Sequence, residues 1–577
     1  MSRLTRRDFL RASALGMGAV VVSSGLAGCG GSSSSRDDHR AVAFRHGVAS
    51  GDPLRDGVIL WTRVTPEDGD TAPITLDWEV ATDADFQNLV NQGSADAREA
   101  YDFTLKVDAR GLAPGQVYYY RFHAAGVTSP VGRTRTLPDA GIDAVTLAVM
   151  SCSNYPAGFF HVYAEAAREE NLDAVVHLGD YVYEYATDGY DGADAERMGR
   201  TLPADNDVEM ITLADYRRRY ALYRTDPDLQ ALHAAAPFIA VWDDHEIAND
   251  AWRGGAENHN PGEGDYLMRK QRALQVYFEW MPIRPFDDND QEIIYRSFQF
   301  GDLVSLHMMD TRIIARDRQL DYGDYLTGDG IDQAAFTAAM ANPDRRLIGD
   351  AQLAWLDGAL EASGTTWQVL GQQVLMGRMH MPAEMLEKLL ALDPSLVDLI
   401  GELTALKMRY LRNDPTLTDA EIQRVTTVLP YNLDAWDGYA VERERVLALA
   451  RAKNKNLVVL AGDTHNAWAS HLTDQAGDAV GVELATASVS SPGLESYLQL
   501  PAAAIASAEQ ALTVLVDDLR YLNASQRGYL RVTFTAEEAR ADWRFVDTVK
   551  QRDHALDTDR SHSLRVRAGT PALVSPD

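Results

Sequence analysis

Between residues 44 and 138, strand-forming residues cluster in short runs, 57–64, 74–80, 103–107 and 117–122, the second and third alternating apolar with polar, separated by Gly, Pro and Asp turns. A period of two belongs to strands with one buried face, so the pattern predicts a small β-sandwich here. Leu112, Pro114 and Tyr118 stand at the spacing of a tyrosine corner, a feature of Greek-key sandwiches. After Gly141 the rhythm changes to continuous apolar runs at 145–150, 174–178, 238–241, 303–308, 367–370 and 457–460, alternating with helical stretches. Strands apolar on both faces are buried on both faces, which predicts an α/β domain. The stretch 382–419 is helical and charged, with no strand pattern, and reads as an insertion near the site.

The first residues follow a different logic. Thr5-Arg6-Arg7-Asp8-Phe9-Leu10 precedes an apolar run ending at Val22, and Leu26-Ala27-Gly28-Cys29 follows. This looks like a twin-arginine signal closed by a lipobox, with Cys29 as the lipid attachment site. A membrane-spanning helix is the alternative, but Gly16, Gly18, Ser23 and Ser24 interrupt the run and it falls short of the roughly 20 residues a span needs. The organisation expected is a signal at 1–28, a Gly/Ser tether at 29–41, a β-sandwich at 42–139 and a catalytic domain at 140–577. The expected location is periplasmic or cell-surface, with the membrane reached through lipid on Cys29. Twin-arginine export carries folded proteins, which suits a cofactor inserted before export.

Composition narrows the chemistry. The 577 residues carry 54 Lys and Arg against 85 Asp and Glu, a net charge of −31. Such a surface repels polyanions, so nucleic-acid binding is not expected as the main role. Cys29 and Cys152 are the two cysteines, too few for a disulfide framework, and each needs its own explanation.

Four predicted strands run directly into polar clusters: Ser151-Cys152-Ser153-Asn154, Gly179-Asp180-Tyr181-Val182-Tyr183, Asp243-Asp244-His245-Glu246 with Asn249, and Gly462-Asp463-Thr464-His465. Strand carboxyl ends are where α/β folds assemble ligand sites. Carboxylate, imidazole, thiolate and phenolate together make a mixed hard and soft donor set, suited to a trivalent iron beside a harder divalent ion. Two such ions about 3.5–4 Å apart can clamp the oxygens of an in-line displacement at phosphorus.

Gly-Asp-x-x-Tyr, Asp-His-Glu and Gly-Asp-x-His in this order resemble the calcineurin-like metallophosphoesterase superfamily. The full pattern resembles its PhoD-type alkaline phosphatase/phosphodiesterase branch. The segments 44–53 (FRHGVASGDP), 60–64 (LWTRV), 310–312 (DTR), 349–356 (GDAQLAWL) and 434–439 (DAWDGY) are also similar to that branch. The resemblance implies an N-terminal β-sandwich followed by a calcineurin-like four-layer αββα catalytic domain. It implies Fe(3+) held by Cys152, Asp180, Tyr183 and His465, with Asp180 bridging toward Ca(2+). Asp463 and either Asp244 or Asn249 complete the calcium side, since the superfamily usually has Asn-His-Glu where this chain has Asp244-His245-Glu246. His245 matches a non-ligand histidine that meets the scissile phosphate.

Each residue has a plainer reading. Cys152 is a small buried hydrophobe in most folds, Tyr183 a packing tyrosine, and Asp463 and His465 cap residues. Arg312 and Arg378 follow predicted strands and are candidates for phosphate contact, against the surface ion pairs most arginines make. His380 is a candidate extra ligand, and Gln372 and Gln373 read as structural. The leading function is hydrolysis of phosphate esters by a metal-activated hydroxide in a monomer, with a phospholipase D-like phosphodiesterase of the same family as a variant. A paired-carboxylate glycosidase leaves Cys152, Tyr183 and His465 unexplained, and a non-enzymatic lipoprotein binding module leaves all the clusters unexplained.

Overall fold

The computed structural model describes residues 20–23, 40–285, 291–328, 330–391, 393, 395–497 and 501–576. Of the expected signal at 1–28 only residues 20–23 are described, as an edge strand beside Thr104–Arg110, while the twin arginines, the lipobox with Cys29 and the Gly/Ser tether up to residue 39 lie outside the described residues. No helix of the described residues is long and apolar enough to cross a membrane.

Two large sheets and one smaller sheet organise a mixed α/β fold. The first is eleven-stranded, in the order Val20–Ser23, Thr104–Arg110, Gly57–Arg63, Val48–Gly51, Phe238–Ala240, Ala174–His177, Val145–Met150, Arg527–Phe534, Glu538–Val546, His562–Arg567 and Thr570–Val574. It runs from the front region straight into the region that follows residue 141, joined where Gly51 pairs with Phe238. A Cβ on Gly51 would lie 2.6 Å from the Phe238 carbonyl oxygen, so the seam requires glycine. The next residue, Asp52, receives a two-pronged ion pair from buried Arg296 at 2.6 and 2.9 Å. This gives the Ser-Gly-Asp-Pro run a structural job at the junction.

A smaller sheet built on Ile74–Ala81, Leu89–Ala97 and Val117–Ala124 shares one core with the front strands: Val58, Leu60 and Val107 meet Leu76, Trp78, Tyr120 and Phe122. Tyr118 Oη accepts from the Ala113 amide at 2.8 Å, the bond a tyrosine corner makes.

The third sheet orders Arg296–Phe300, Val304–Met308, Trp367–Gly371, Asn456–Ala461, Ala479–Ala485, Ala467–Thr473 and Leu519–Asn523. Strand alternation sorts its side chains between two cores. Val458 and Leu460 pack in one core with Val149 and Leu530 of the first sheet, whereas Leu457 and Val459 pack in another with Leu356 and Leu447 of flanking helices. The predicted insertion at 382–419 contains the helices Ala383–Leu390 and Leu396–Leu411, but the helical unit runs on through Asp419–Thr426, and its base is pinned by pairing of His380–Pro382 with Val428–Pro430.

Candidate functional site

The loops after Val145–Met150, Ala174–His177, Phe238–Ala240 and Asn456–Ala461 converge at one end of the paired sheets. They do so through sharp backbone turns: Cys152 (φ 63°), Asp180 (φ 52°), Asp463 (φ 63°) and His465 (φ 64°) all adopt the left-handed region. Each such residue without glycine's freedom costs about 1–2 kcal/mol, and strain of this kind collects where function fixes side-chain direction. Gly179, at φ 102°, sits so close to Asp243 that no Cβ would fit, which explains the glycine of the Gly-Asp pair. Buried Glu246 then clamps the two loops, accepting from the amides of Asp180 (3.0 Å), Tyr181 (2.5 Å) and Asp243 (2.7 Å). Arg219, on the helix Leu213–Tyr223, holds the next stretch from below, donating to the carbonyls of Tyr183, Tyr185 (2.9 Å) and Val208 (2.9 Å).

Three sets of donor atoms lie within 4.8 Å of one another: Cys152, Asp180 and His465; Asp180, Asp244 and His245; and Asp243, Asp244 and Asp463. Asp180 belongs to two of them. Its Oδ2 lies 3.4 Å from Cys152 Sγ and 3.2 Å from Tyr183 Oη, while its Oδ1 is buried with no hydrogen-bond partner, as is Oδ2 of Asp243. A buried carboxylate oxygen left unpaired is costly unless a cation faces it. His465 donates Nδ1–H to the Pro492 carbonyl at 2.7 Å, which turns the lone pair of Nε2 toward Tyr183 Oη, 3.1 Å away. Burial lowers its pKa to about 3, so the imidazole is neutral, as a ligand must be. Burial, then the Asp180 charge, push the Cys152 thiol and the Tyr183 phenol well above their ordinary pKa values. A cation among these donors would reverse that field, so the residues fit a metal that displaces their protons.

His245 Nδ1 pairs with Glu184 Oε2 at 2.7 Å, leaving Nε2 for the cavity. Glu184 also accepts from the Asn249 amide (2.7 Å) and Asn258 Nδ2 (2.8 Å), so it ties His245 to the stretch that follows the Asp-His-Glu turn. Burial opposes a charge on His245, but the carboxylates of Asp244, Glu184 and Asp180 outweigh it and raise its pKa well above the usual value. Asp244 stands in two donor sets, whereas the Asn249 side-chain amide is turned onto Glu257 at 3.2 Å. A cavity of about 350 Å³ opens over these groups, with Tyr185, Tyr190, Tyr431, Trp468 and Tyr497 as aromatic walls.

Residues 147–543 match the PhoD-like phosphatase family model, and residues 30–138 match that of the PhoD-like phosphatase N-terminal domain. The chain belongs to the PhoD-like phosphatase family. It is 33% identical to alkaline phosphatase D of Bacillus subtilis (strain 168) over 533 residues, which cover 90% of this chain and 80% of that relative. It also superposes on the solved structure of PhoD with a TM-score of 0.73 at 30% identity, over 92% of both chains. This PhoD-like phosphatase is a phosphoric ester hydrolase.

The two arginines expected to contact phosphate in this phosphatase are otherwise engaged. Arg312 is fully buried: Nε meets Asp243, Nη1 bonds Asp434 at 2.8 Å, and Nη2 bonds Asp463 at 2.8 Å. Its guanidinium is a hub for the acidic cluster, with every nitrogen committed, and is not turned to the cavity. Arg378 bonds Thr473 (3.1 Å) and Glu444 (3.2 Å) and does not line the cavity. His380 pairs with Asp437 at 3.4 Å, outside the donor sets. Gln373 links the Trp242 carbonyl (2.6 Å) to Thr311, and Gln372 accepts from Trp436 Nε1 at 2.7 Å, both structural roles. Sequence reasoning missed Glu184, Arg219 and the placement of Asp434. Glu184 lay in plain view, directly after the Gly-Asp-x-x-Tyr run, but its partner is 61 residues away.

Proposed function

We propose that the chain is an exported, metal-dependent phosphatase and phosphodiesterase whose centre is held by two groups of donors sharing Asp180. The observation that carries this reading is the arrangement around Asp180: an unpaired buried Oδ1, with Cys152, Tyr183 and His465 on one side and Asp244, with Asp463 beyond it, on the other. Thiolate and phenolate donors favour Fe(3+) on the first side, and an all-oxygen set favours Ca(2+) on the second. Asp244 is the second-metal ligand in this reading, and Asn249 supports the turn. Bound there, the ions would stabilise charge on the phosphoryl oxygens and lower the pKa of the attacking water. The protein's own contribution is a proton and a position. His245, oriented by Glu184, protonates the leaving oxygen from Nε2, and the aromatic walls limit the water that reaches it.

The two front sheets around one core support a β-sandwich, and the helix-flanked pair of facing sheets supports a calcineurin-like αββα catalytic domain. The Arg6-Arg7 segment and the Leu-Ala-Gly-Cys run support twin-arginine export and a lipid on Cys29. Turnover of p-nitrophenyl phosphate and bis(p-nitrophenyl) phosphate at alkaline pH, with and without calcium, tests the function. Calcium-dependent release of nitrophenol is expected, and full activity in excess chelator would contradict the metal-dependent reading.

A further inference from the structure

A second cavity of about 500 Å³ opens beside the catalytic one, and the two share Asp250, Tyr431 and Asp434 as a common wall. Resting on the phosphoesterase reading, we infer that this second cavity is a subsite for the retained alcohol arm of a phosphodiester, selecting a flat, uncharged apolar arm.

Its walls combine apolar, cationic, amide and acidic groups, the acids being Asp250, Glu257, Asp321 and Asp434. Trp252 offers an aromatic face, and Leu390, at the end of the first insertion helix and 48% exposed, faces the same space. Arg318 is the cation of the cavity: its guanidinium lies 5.9 Å from the Trp252 ring centroid and forms no ion pair among the described residues. Gln319 adds a buried side-chain oxygen with no hydrogen-bond partner, an acceptor left for a hydroxyl. The indole is held ready. Trp252 and Gly255 exchange backbone hydrogen bonds at 2.8 and 3.3 Å, Tyr266 Oη donates to the Trp252 carbonyl at 3.1 Å, and the ring lies so close to Gly255 that no Cβ would fit there.

The geometry has a simple consequence for substrates. Phosphorus bearing one ester arm needs one lobe, whereas phosphorus bearing two can place an arm on each side of the wall formed by Asp250 and Asp434. Four carboxylates against one arginine also make the lobe unfavourable to an anionic arm, a discrimination that salt weakens.

Four p-nitrophenyl substrates keep the leaving group constant and vary the arm: the monoester, and the methyl, phenyl and 4-carboxyphenyl diesters. Wild-type kcat/KM should rise from methyl to phenyl and fall again for 4-carboxyphenyl. Trp252→Ala should lower the two aryl diesters by roughly tenfold, the scale of a lost aromatic contact, with the monoester and methyl diester within about twofold. Arg318→Gln should worsen only the carboxyphenyl diester, whose disadvantage in wild type should shrink as salt rises. Leu390→Asp, at an exposed position that folding does not need, should reduce the phenyl diester and leave the monoester alone. Equal losses on all four substrates, or none, would overturn the subsite. Failure of the wild type to turn over any of the four would overturn the phosphoesterase reading itself, and the subsite with it.

Discussion

His245 and Glu184 form the pair on which the proton chemistry turns. His245→Ala should keep its metal content and lose roughly 10²–10⁴ in turnover, the scale of lost general acid help, with a smaller loss for aryl esters whose leaving oxygen needs little protonation. Glu184→Gln tests the cause. Removing one of the carboxylates that raise the His245 pKa lowers it, so the imidazolium is lost sooner as pH rises. The alkaline fall of kcat should therefore begin at a lower pH in the variant, and an unchanged profile would remove Glu184 from the mechanism. Arg312→Ala separates a scaffold from a phosphate contact. Stripping a buried cation from Asp243, Asp434 and Asp463 should cost about 3–5 kcal/mol of stability in denaturant melts, whereas a phosphate contact would raise KM and leave stability alone. Cys152, Asp180, Tyr183, Asp244, Asp463 and His465 were legible in the sequence because each falls at a strand end within a short motif. The acidic surroundings of Arg312 were not legible, because strand-end position says nothing about how many carboxylates fold around it.

At the scale of elements, the reading succeeded where strands are buried on both faces. The run 145–150 matches the observed strand, and the runs at 174, 238, 303, 367 and 457 are met by strands that differ by a residue or so at their ends. The strands Arg527–Phe534, Glu538–Val546 and His562–Arg567 escaped notice because charged residues break their apolar runs. Leu89–Ala97 escaped because nearly all of it is polar or exposed. Helix ends show a further limit of local reading. The helix Gly349–Ala362 follows Ile348, which offers no side-chain cap. Glu442, from the helix Ala440–Ala452, supplies one across space, accepting from the amides of Leu347 (2.5 Å), Ile348 (2.8 Å) and Gly349 (3.1 Å). Glu442→Ala leaves those buried donors unpaired and should cost about 2–3 kcal/mol in chemical denaturation. A loss under about 0.5 kcal/mol, the range of neutral surface changes, would show that the cap is dispensable.

For the molecule as a whole, two propositions are joined: delivery to a membrane surface and a metal centre assembled from both large sheets. If Cys29 is acylated, the mature protein should partition into detergent, and Cys29→Ala should release a soluble enzyme of unchanged turnover. A processed wild type that stays wholly aqueous would remove the anchor. The centre itself is tested most directly by elemental analysis and visible spectroscopy of the purified protein beside Cys152→Ser and Tyr183→Phe, with aryl phosphate turnover measured on the same samples. The account predicts iron together with calcium and a visible thiolate- and phenolate-to-iron absorption that changes in each variant as activity falls. A colourless, fully active protein containing zinc alone, indifferent to both substitutions, would contradict it.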